Sequence, residues 1–228
     1  MATTATAQRL KLYVYDFCPF CSRVRTLLGL KRIEHELAFL AFDDEATPIG
    51  LVGAKQAPIL VRPGAGDALA ESLDIVRLVD ASYGGDPLLR PSAERPELDA
   101  WIKGSAADFN ALVMPRVVRA PLPEFAQRSA REYFQEKKEK LLGPFPDALA
   151  RTPELIEKAD AWLERLEPLL ASDAAVNADG VSYDDIDLFP RLRNLTIVRG
   201  ITWPSKVRAY VDRYAEDANL RTFDVAAQ

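Results

Sequence analysis

Leu10-Lys-Leu-Tyr-Val-Tyr15 alternates in polarity and is rich in aromatic and β-branched residues, which predicts a strand. Val24, Leu27 and Leu28 then recur at helical spacing, with Gly29 near the expected stop. Glu36 to Phe42 reads as a second strand and Pro48–Val52 as a short helix. Pro58–Val61 and Asp67–Ala70 read as a third and a fourth strand, joined by a Pro-Gly-Ala-Gly turn at 63–66. Ser72 is expected to cap a helix whose apolar face is Leu73, Val76, Leu78 and Val79. The predicted order is β-α-β-α-β-β-α over about eighty residues.

Ala81 to Pro96 breaks the pattern with Gly84, Gly85, Pro87, Pro91 and Pro96, which suits a linker. Beyond it every apolar stripe has helical period. Leu98, Trp101, Ile102, Phe109, Leu112 and Val113 form one, and Leu155, Ile156, Ala159, Trp162, Leu163, Leu166 and Leu170 another. Ile186, Phe189, Leu192, Leu195 and Val198 form the most apolar, as for a helix at the centre of a bundle. Val207, Tyr210, Val211 and Tyr214 give a last helix. The expectation is α/β plus all-α: a small α/β domain over 9–83, a linker over 84–96 and an all-helical domain over 97–228.

Composition narrows the function. With 48% hydrophobic and 28% charged residues, the 228-residue chain is ordinary for a globular protein. Its net charge is 29 − 34 = −5, so no global basic field would attract nucleic acid. Met1 to Gln8 has no signal-peptide character, and no segment approaches the roughly 20 apolar residues that span a bilayer. A cytoplasmic location without membrane contact is expected, and there glutathione and thioredoxin keep thiols reduced.

The two cysteines, Cys18 and Cys21, are too few for a disulfide framework and must be explained locally. Cys18-Pro-Phe-Cys21 follows a predicted strand and opens a predicted helix. Unpaired N–H groups and partial positive charge at a helix N-terminus stabilise a thiolate, lowering a cysteine pKa from about 8.5 to between roughly 3.5 and 7.5. Proline after Cys18 suits the first turn, where its missing N–H costs nothing. Cys18 is therefore the expected exposed nucleophile, with Cys21 one turn inside to resolve a mixed disulfide. A structural zinc site would need more ligands, and His35 is the only other soft one, so no metal is expected. Two buried, inert cysteines are the competing reading.

This motif in a β-α-β-α-β-β-α unit resembles a glutaredoxin. Gln56-Ala-Pro58-Ile-Leu and Glu71-Ser-Leu-Asp-Ile75 resemble the two glutathione-binding stretches of glutathione transferase-like thioredoxin domains. Ser182-Tyr-Asp-Asp185-Ile is similar to the capping motif of that fold's central helix. Leu188-Phe-Pro-Arg-Leu-Arg-Asn-Leu-Thr196 and Gly200-Ile-Thr-Trp-Pro204 resemble the bacterial glutaredoxin type 2 family in particular. The resemblance implies a thioredoxin-like domain followed by a helical bundle. It makes Cys18 the nucleophile, Cys21 the resolving thiol and Pro58 a cis-proline facing them. Ala57 would offer backbone hydrogen bonds to the cysteinyl part of glutathione, and Glu71 with Ser72 would hold its γ-glutamyl group. Phe20 and Arg23 are further candidate glutathione contacts. A larger β-branched residue at Ala57 would fit the family pattern more closely, and Phe17, at a position often held by an aromatic residue or His, removes a possible polar neighbour of the thiolate.

The expected activity is glutathione-dependent reduction of protein disulfides and protein–glutathione mixed disulfides, by a monomer with glutathione as co-substrate. The alternatives are a glutathione transferase-like conjugating enzyme and a non-enzymatic scaffold of the same fold. Arg23, Arg25 or Lys55 could meet the glycine carboxylate of glutathione, against the plainer reading of surface charge. His35 is expected to face solvent. Asn177-Ala-Asp-Gly180 is a turn and not a calcium loop, because Ala175 and Ile186 fall where acids are required. Glu136 and Lys140 mark a solvated helix face.

Overall fold

The computed structural model describes residues 9–64 and 67–228, so the predicted 63–66 turn lies partly outside the described residues, as does the segment before Arg9. The first part of the chain runs β1 (Leu10–Val14), α1 (Pro19–Leu30), β2 (His35–Phe39), α2 (Ala46–Val52), β3 (Ile59–Val61), β4 (Ala68–Leu69) and α3 (Ser72–Ser82). The four strands form one mixed sheet in the order β2-β1-β3-β4. β1 pairs parallel with β2, Leu12 opposite Leu37, the α1 crossover supplying the reversal that a parallel pair needs. β3 pairs antiparallel with β1, Leu12 opposite Leu60, and β4 continues through Leu60 opposite Leu69. Leu12 and Val14 from β1, Leu60 from β3, Leu27 and Leu28 from α1, and Ile75, Val76 and Val79 from α3 are all fully buried.

Two predicted strand ends are corrected. β1 stops at Val14 and β2 at Phe39, so Tyr15 and Phe42 lie outside the strands. Both instead enter an aromatic cluster with Phe17, Phe125 and Phe134, in which Phe42 and Phe134 meet edge to face at 4.9 Å. This cluster joins the loops after β1 and β2 to the helical half. Gly29 lies near the stop of α1, as expected, one residue before its end at Leu30. Its lack of a side chain is needed because the backbone of Ala218 approaches so closely that a Cβ would collide with the Ala218 carbonyl.

The 84–96 segment holds only an isolated bridge, Arg90 with Ser182, and Pro96 already belongs to the next helix. The segment is pinned: Asp80 accepts from the backbone N–H groups of Leu88 and Leu89, and Arg90 exchanges backbone hydrogen bonds with Val181 and Tyr183. Helices follow as α4 (Pro96–Val117), α5 (Arg128–Leu142), α6 (Phe145–Ala150), α7 (Thr152–Leu166), α8 (Tyr183–Leu195) and α9 (Ser205–Asp217). A single 3₁₀ turn, Pro123–Phe125, lies between α4 and α5.

α8 is the buried helix that the apolar stripe predicted, with Ile186, Leu188, Phe189, Leu192 and Leu195 fully covered. It packs against α1, α4 and α9. Its start is fixed by the Ser182/Asp185 capping box. Ser182 N and Oγ donate to Asp185 Oδ2 at 2.8 and 2.9 Å, and Asn177 Nδ2 donates to Ser182 Oγ at 3.0 Å. Asn177–Gly180 is a turn, closed by Gly180 N donating to Asn177 O.

Candidate active site

β1 delivers the chain to the start of α1. Cys18 stands at the N-cap with extended backbone, and Pro19 is the first helical residue, where no N–H is required. The Cys21 N–H donates to Cys18 Sγ at 3.5 Å, so the helix end faces the sulfur. The Tyr15 N–H donates to Cys21 Sγ at 3.5 Å. Both cysteines are free thiols. Cys18 is only 9% exposed and Cys21 not at all, which corrects the expectation of an exposed nucleophile: the start of α1 is part of the core.

The two thiols are pushed apart electrostatically. A hydrogen bond from the Cys21 side chain, aided by the backbone N–H groups of Cys21 and Phe20, holds the Cys18 thiol below its ordinary pKa despite burial. Burial, reinforced by the neighbouring Cys18, pushes Cys21 well above. One sulfur is disposed to be a thiolate and the other to keep its proton.

A pocket of about 410 Å³ opens beside the motif, lined by Phe20, Arg23, Gln56, Ala57, Pro58 and the 71–74 stretch. The Ala57–Pro58 peptide bond is cis. Glu71 precedes α3 with φ 67°, in the left-handed region that non-glycine residues seldom occupy. Ser72 is the first residue of α3 and not its cap, a correction, so its backbone N–H stands among the donors that a helix end leaves without an intrahelical partner; its hydroxyl accepts from Arg23 Nη1 at 3.2 Å. The structure thus gathers Phe20, Arg23, Ala57, Pro58, Glu71 and Ser72 around one cavity.

The three basic candidates separate. Arg23 reaches the pocket, lies 4.8 Å from the Phe20 ring centroid and is paired with Asp187 of α8, which also binds Arg191. Arg25 pairs with Asp16 instead. Lys55 donates to the Phe42 carbonyl at 2.7 Å and stands over the Tyr133 ring. His35 is half-buried at the start of β2, its Nδ1 2.7 Å from the Ile33 carbonyl oxygen, not simply facing solvent.

Sequence reasoning missed the residues that hold the loop before Cys18. Asn194 Nδ2 donates to Phe17 O at 2.7 Å, and Arg193 Nη1 and Nη2 donate to Asp16 O and Oδ1 at 2.8 and 2.9 Å. Arg193 also donates to Ser22 Oγ. Glu124, in the 3₁₀ turn, accepts from Phe17 N at 3.0 Å through Oε1. Burial disfavours the Asp16 carboxylate, but Arg193 and Arg25 outweigh it and hold its pKa below the ordinary value. Burial pulls Arg193 down to about 10. The available signal was Arg193-Asn194 in the 188–196 string already singled out, but polar residues within an apolar helix carry no address. Among the described residues, no group of three or more His, Cys, Asp or Glu is disposed to hold a metal ion.

Comparison with known proteins places this geometry. Residues 97–227 match the family model "Glutaredoxin 2, C terminal domain", and residues 12–87 match "Glutathione S-transferase, N-terminal domain". The chain is 42% identical to glutaredoxin 2 of Escherichia coli K12 over 92% of its own length and 96% of the relative's. It superposes with a TM-score of 0.92 and 41% identity on glutaredoxin 2 from Salmonella typhimurium, solved in complex with glutathione, covering 97% of this chain and all of that one. A glutathione transferase from Phanerochaete chrysosporium, at 17% identity and TM-score 0.69, shares the fold over 92% of this chain and 97% of its own.

Proposed function

The chain belongs to the glutaredoxin 2 family, and within that family's glutathione-dependent thiol–disulfide oxidoreductase activity we propose that Cys18 is the attacking thiolate and Cys21 the resolving thiol. The Cys18–Cys21 contact at the start of α1 carries this reading: one hydrogen bond favours the charge on the first sulfur, and burial withholds it from the second.

Cys18 attacks one sulfur of a disulfide, forming a new S–S bond and expelling the other sulfur as a thiolate. With a protein–glutathione mixed disulfide as substrate, a second glutathione thiolate attacks the Cys18-bound glutathione and releases glutathione disulfide. With a protein disulfide, Cys21 loses its proton and attacks the Cys18 sulfur, releasing the reduced protein. Two glutathione molecules then restore the dithiol. Glutaredoxin potentials of roughly −200 to −230 mV lie close enough to the cytosolic glutathione poise for electrons to flow this way.

Glutathione lies in the Phe20–Ser72 pocket. Ala57 contributes backbone hydrogen bonds, Pro58 packs against the cysteinyl part, and Glu71 pairs with the γ-glutamyl ammonium. The Ser72 N–H at the start of α3 receives the γ-glutamyl carboxylate. Arg23, already bonded to Ser72, supports that same carboxylate in preference to the glycine end. The enzyme acts as a cytoplasmic monomer on disulfide-bonded or glutathionylated proteins, with 9–83 and 97–228 as its two domains. Among the described residues, no helix is long and apolar enough to cross a membrane.

A conjugating transferase has no use for a second thiol hydrogen-bonded to the first, and a scaffold has no use for a depressed Cys18. Side-by-side assays decide: reduction of a glutathione mixed disulfide should be robust and conjugation to a chlorinated aromatic acceptor negligible. The reverse ranking would overturn the assignment.

A further inference from the structure

Glu124 is fully buried. Burying a carboxyl is costly unless its oxygens are satisfied, and this one is only half satisfied. Oε1 accepts from the Phe17 N–H at 3.0 Å, while Oε2 has no hydrogen-bond partner among the described residues. The backbone carbonyl of Glu124 accepts from Phe42 N at 3.0 Å, so the residue is locked to both loops that lead into the site. Its side chain is held one residue before the nucleophile.

We infer that Glu124 is a positioning residue for Cys18: its carboxyl fixes the Phe17 peptide, and its protonation state sets how readily the neighbouring thiol gives up a proton. Cys18 and Glu124 would both be anions in one poorly hydrated region, and two like charges there oppose each other. Burial holds the Glu124 carboxyl above its ordinary pKa, although the Phe17 N–H and neighbouring backbone N–H groups oppose it. Ionised Glu124 in turn raises Cys18. The other titratable groups around this region are Cys21, Tyr15 after β1, Asp16 beside Phe17, Arg193 from α8, Arg25 from α1 and Lys55, whose ammonium is held by the Phe42 carbonyl. Both arginines are paired with Asp16. Arg131 of α5 is engaged by the backbone carbonyls of Phe125 and Val118. Proton exchange with solvent at Glu124 therefore acts on the Cys18 charge without any covalent step.

The inference rests on Cys18 being the nucleophile, and the test separates the two claims. Glu124→Gln keeps the volume and an acceptor for Phe17 but removes the ionisable group. The pH dependence of Cys18 alkylation is followed in wild type and variant, and carbon-13 titration of the Glu124 carboxyl in wild type and Cys18→Ser. Whichever group ionises second bears the repulsion, so at least one midpoint must fall, by about half a unit or more. Two unchanged midpoints overturn the inference while leaving the nucleophile assignment intact. An ordinary wild-type thiol profile for Cys18 instead overturns the nucleophile assignment. Should Glu124→Gln fail to fold, Glu124→Met, of similar volume and uncharged, takes its place in the alkylation arm, and the same pair of midpoints decides.

Discussion

Asn194 donates to the carbonyl oxygen of Phe17 from α8, while Glu124 accepts from the N–H of the same residue. Both backbone polar groups of the residue before the nucleophile are therefore held by the helical half. Asn194→Ala would leave the Phe17 carbonyl without its buried donor, at a cost of about 1–3 kcal/mol. The variant should show a lowered urea midpoint and a fall in kcat with little change in the KM for glutathione, because the pocket residues are untouched. A change confined to KM would contradict this division of labour.

Arg193, which is buried, pairs with the half-buried Asp16 across the same junction. Arg193→Met should destabilise the protein by about 3–5 kcal/mol at pH 7, because Asp16 loses its main buried partner. Asp16 has a depressed pKa in the folded state. Its contribution to stability is therefore present above the ordinary aspartate value near 3.9 and is lost as pH falls through the folded value. The difference between wild type and variant should shrink on acidification below about pH 4, read by urea denaturation across pH. A gap independent of pH would show that Arg193 acts through packing alone.

Much of the fold was legible because period and punctuation agreed. Leu12 and Val14 of β1 alternate into the core, and the Ile186–Val198 stripe marked the buried α8, overrunning its end at Leu195. The strand ends at Tyr15 and Phe42 were misread because aromatic residues favour strands and interhelical clusters alike. The site was half legible. Cys18, Cys21 and the Ala57–Pro58 and Glu71–Ser72 stretches come from local motifs, and the structure brings these stretches to one pocket. Glu124 sits 106 residues beyond Cys18 in a short turn, and no local pattern connects the two. Ser72 was misjudged as a cap because its hydroxyl is engaged by Arg23, a long-range contact without local signature.

Ser182 tests the capping box directly. It is fully buried and bonded to both Asp185 and Asn177. Ser182→Ala should lower stability by at least the usual cost of a lost cap, about 0.5–2 kcal/mol, since Asn177 also loses an acceptor. An unchanged denaturation midpoint would remove α8 capping from the account.

Glu71→Ala tests the glutathione placement. Loss of a charge-assisted bond to the γ-glutamyl ammonium, worth about 1.5–3 kcal/mol when shielded from water, should raise the KM for glutathione about tenfold or more. The pH profile of Cys18 alkylation should be nearly unaltered, because the main groups that shift it are Cys21, the Phe20 N–H and Glu124. An unaltered glutathione dependence would move the ligand elsewhere.

The division of labour between the two sulfurs is tested most directly by comparing Cys18→Ser and Cys21→Ser in the reduction of a protein–glutathione mixed disulfide. Cys18→Ser should abolish turnover, because no other thiolate is disposed at the start of α1. Cys21→Ser should keep it, because glutathione itself resolves the Cys18-bound intermediate. Equal loss of activity in both variants, or retained activity in Cys18→Ser, would contradict the assignment of nucleophile and resolving thiol.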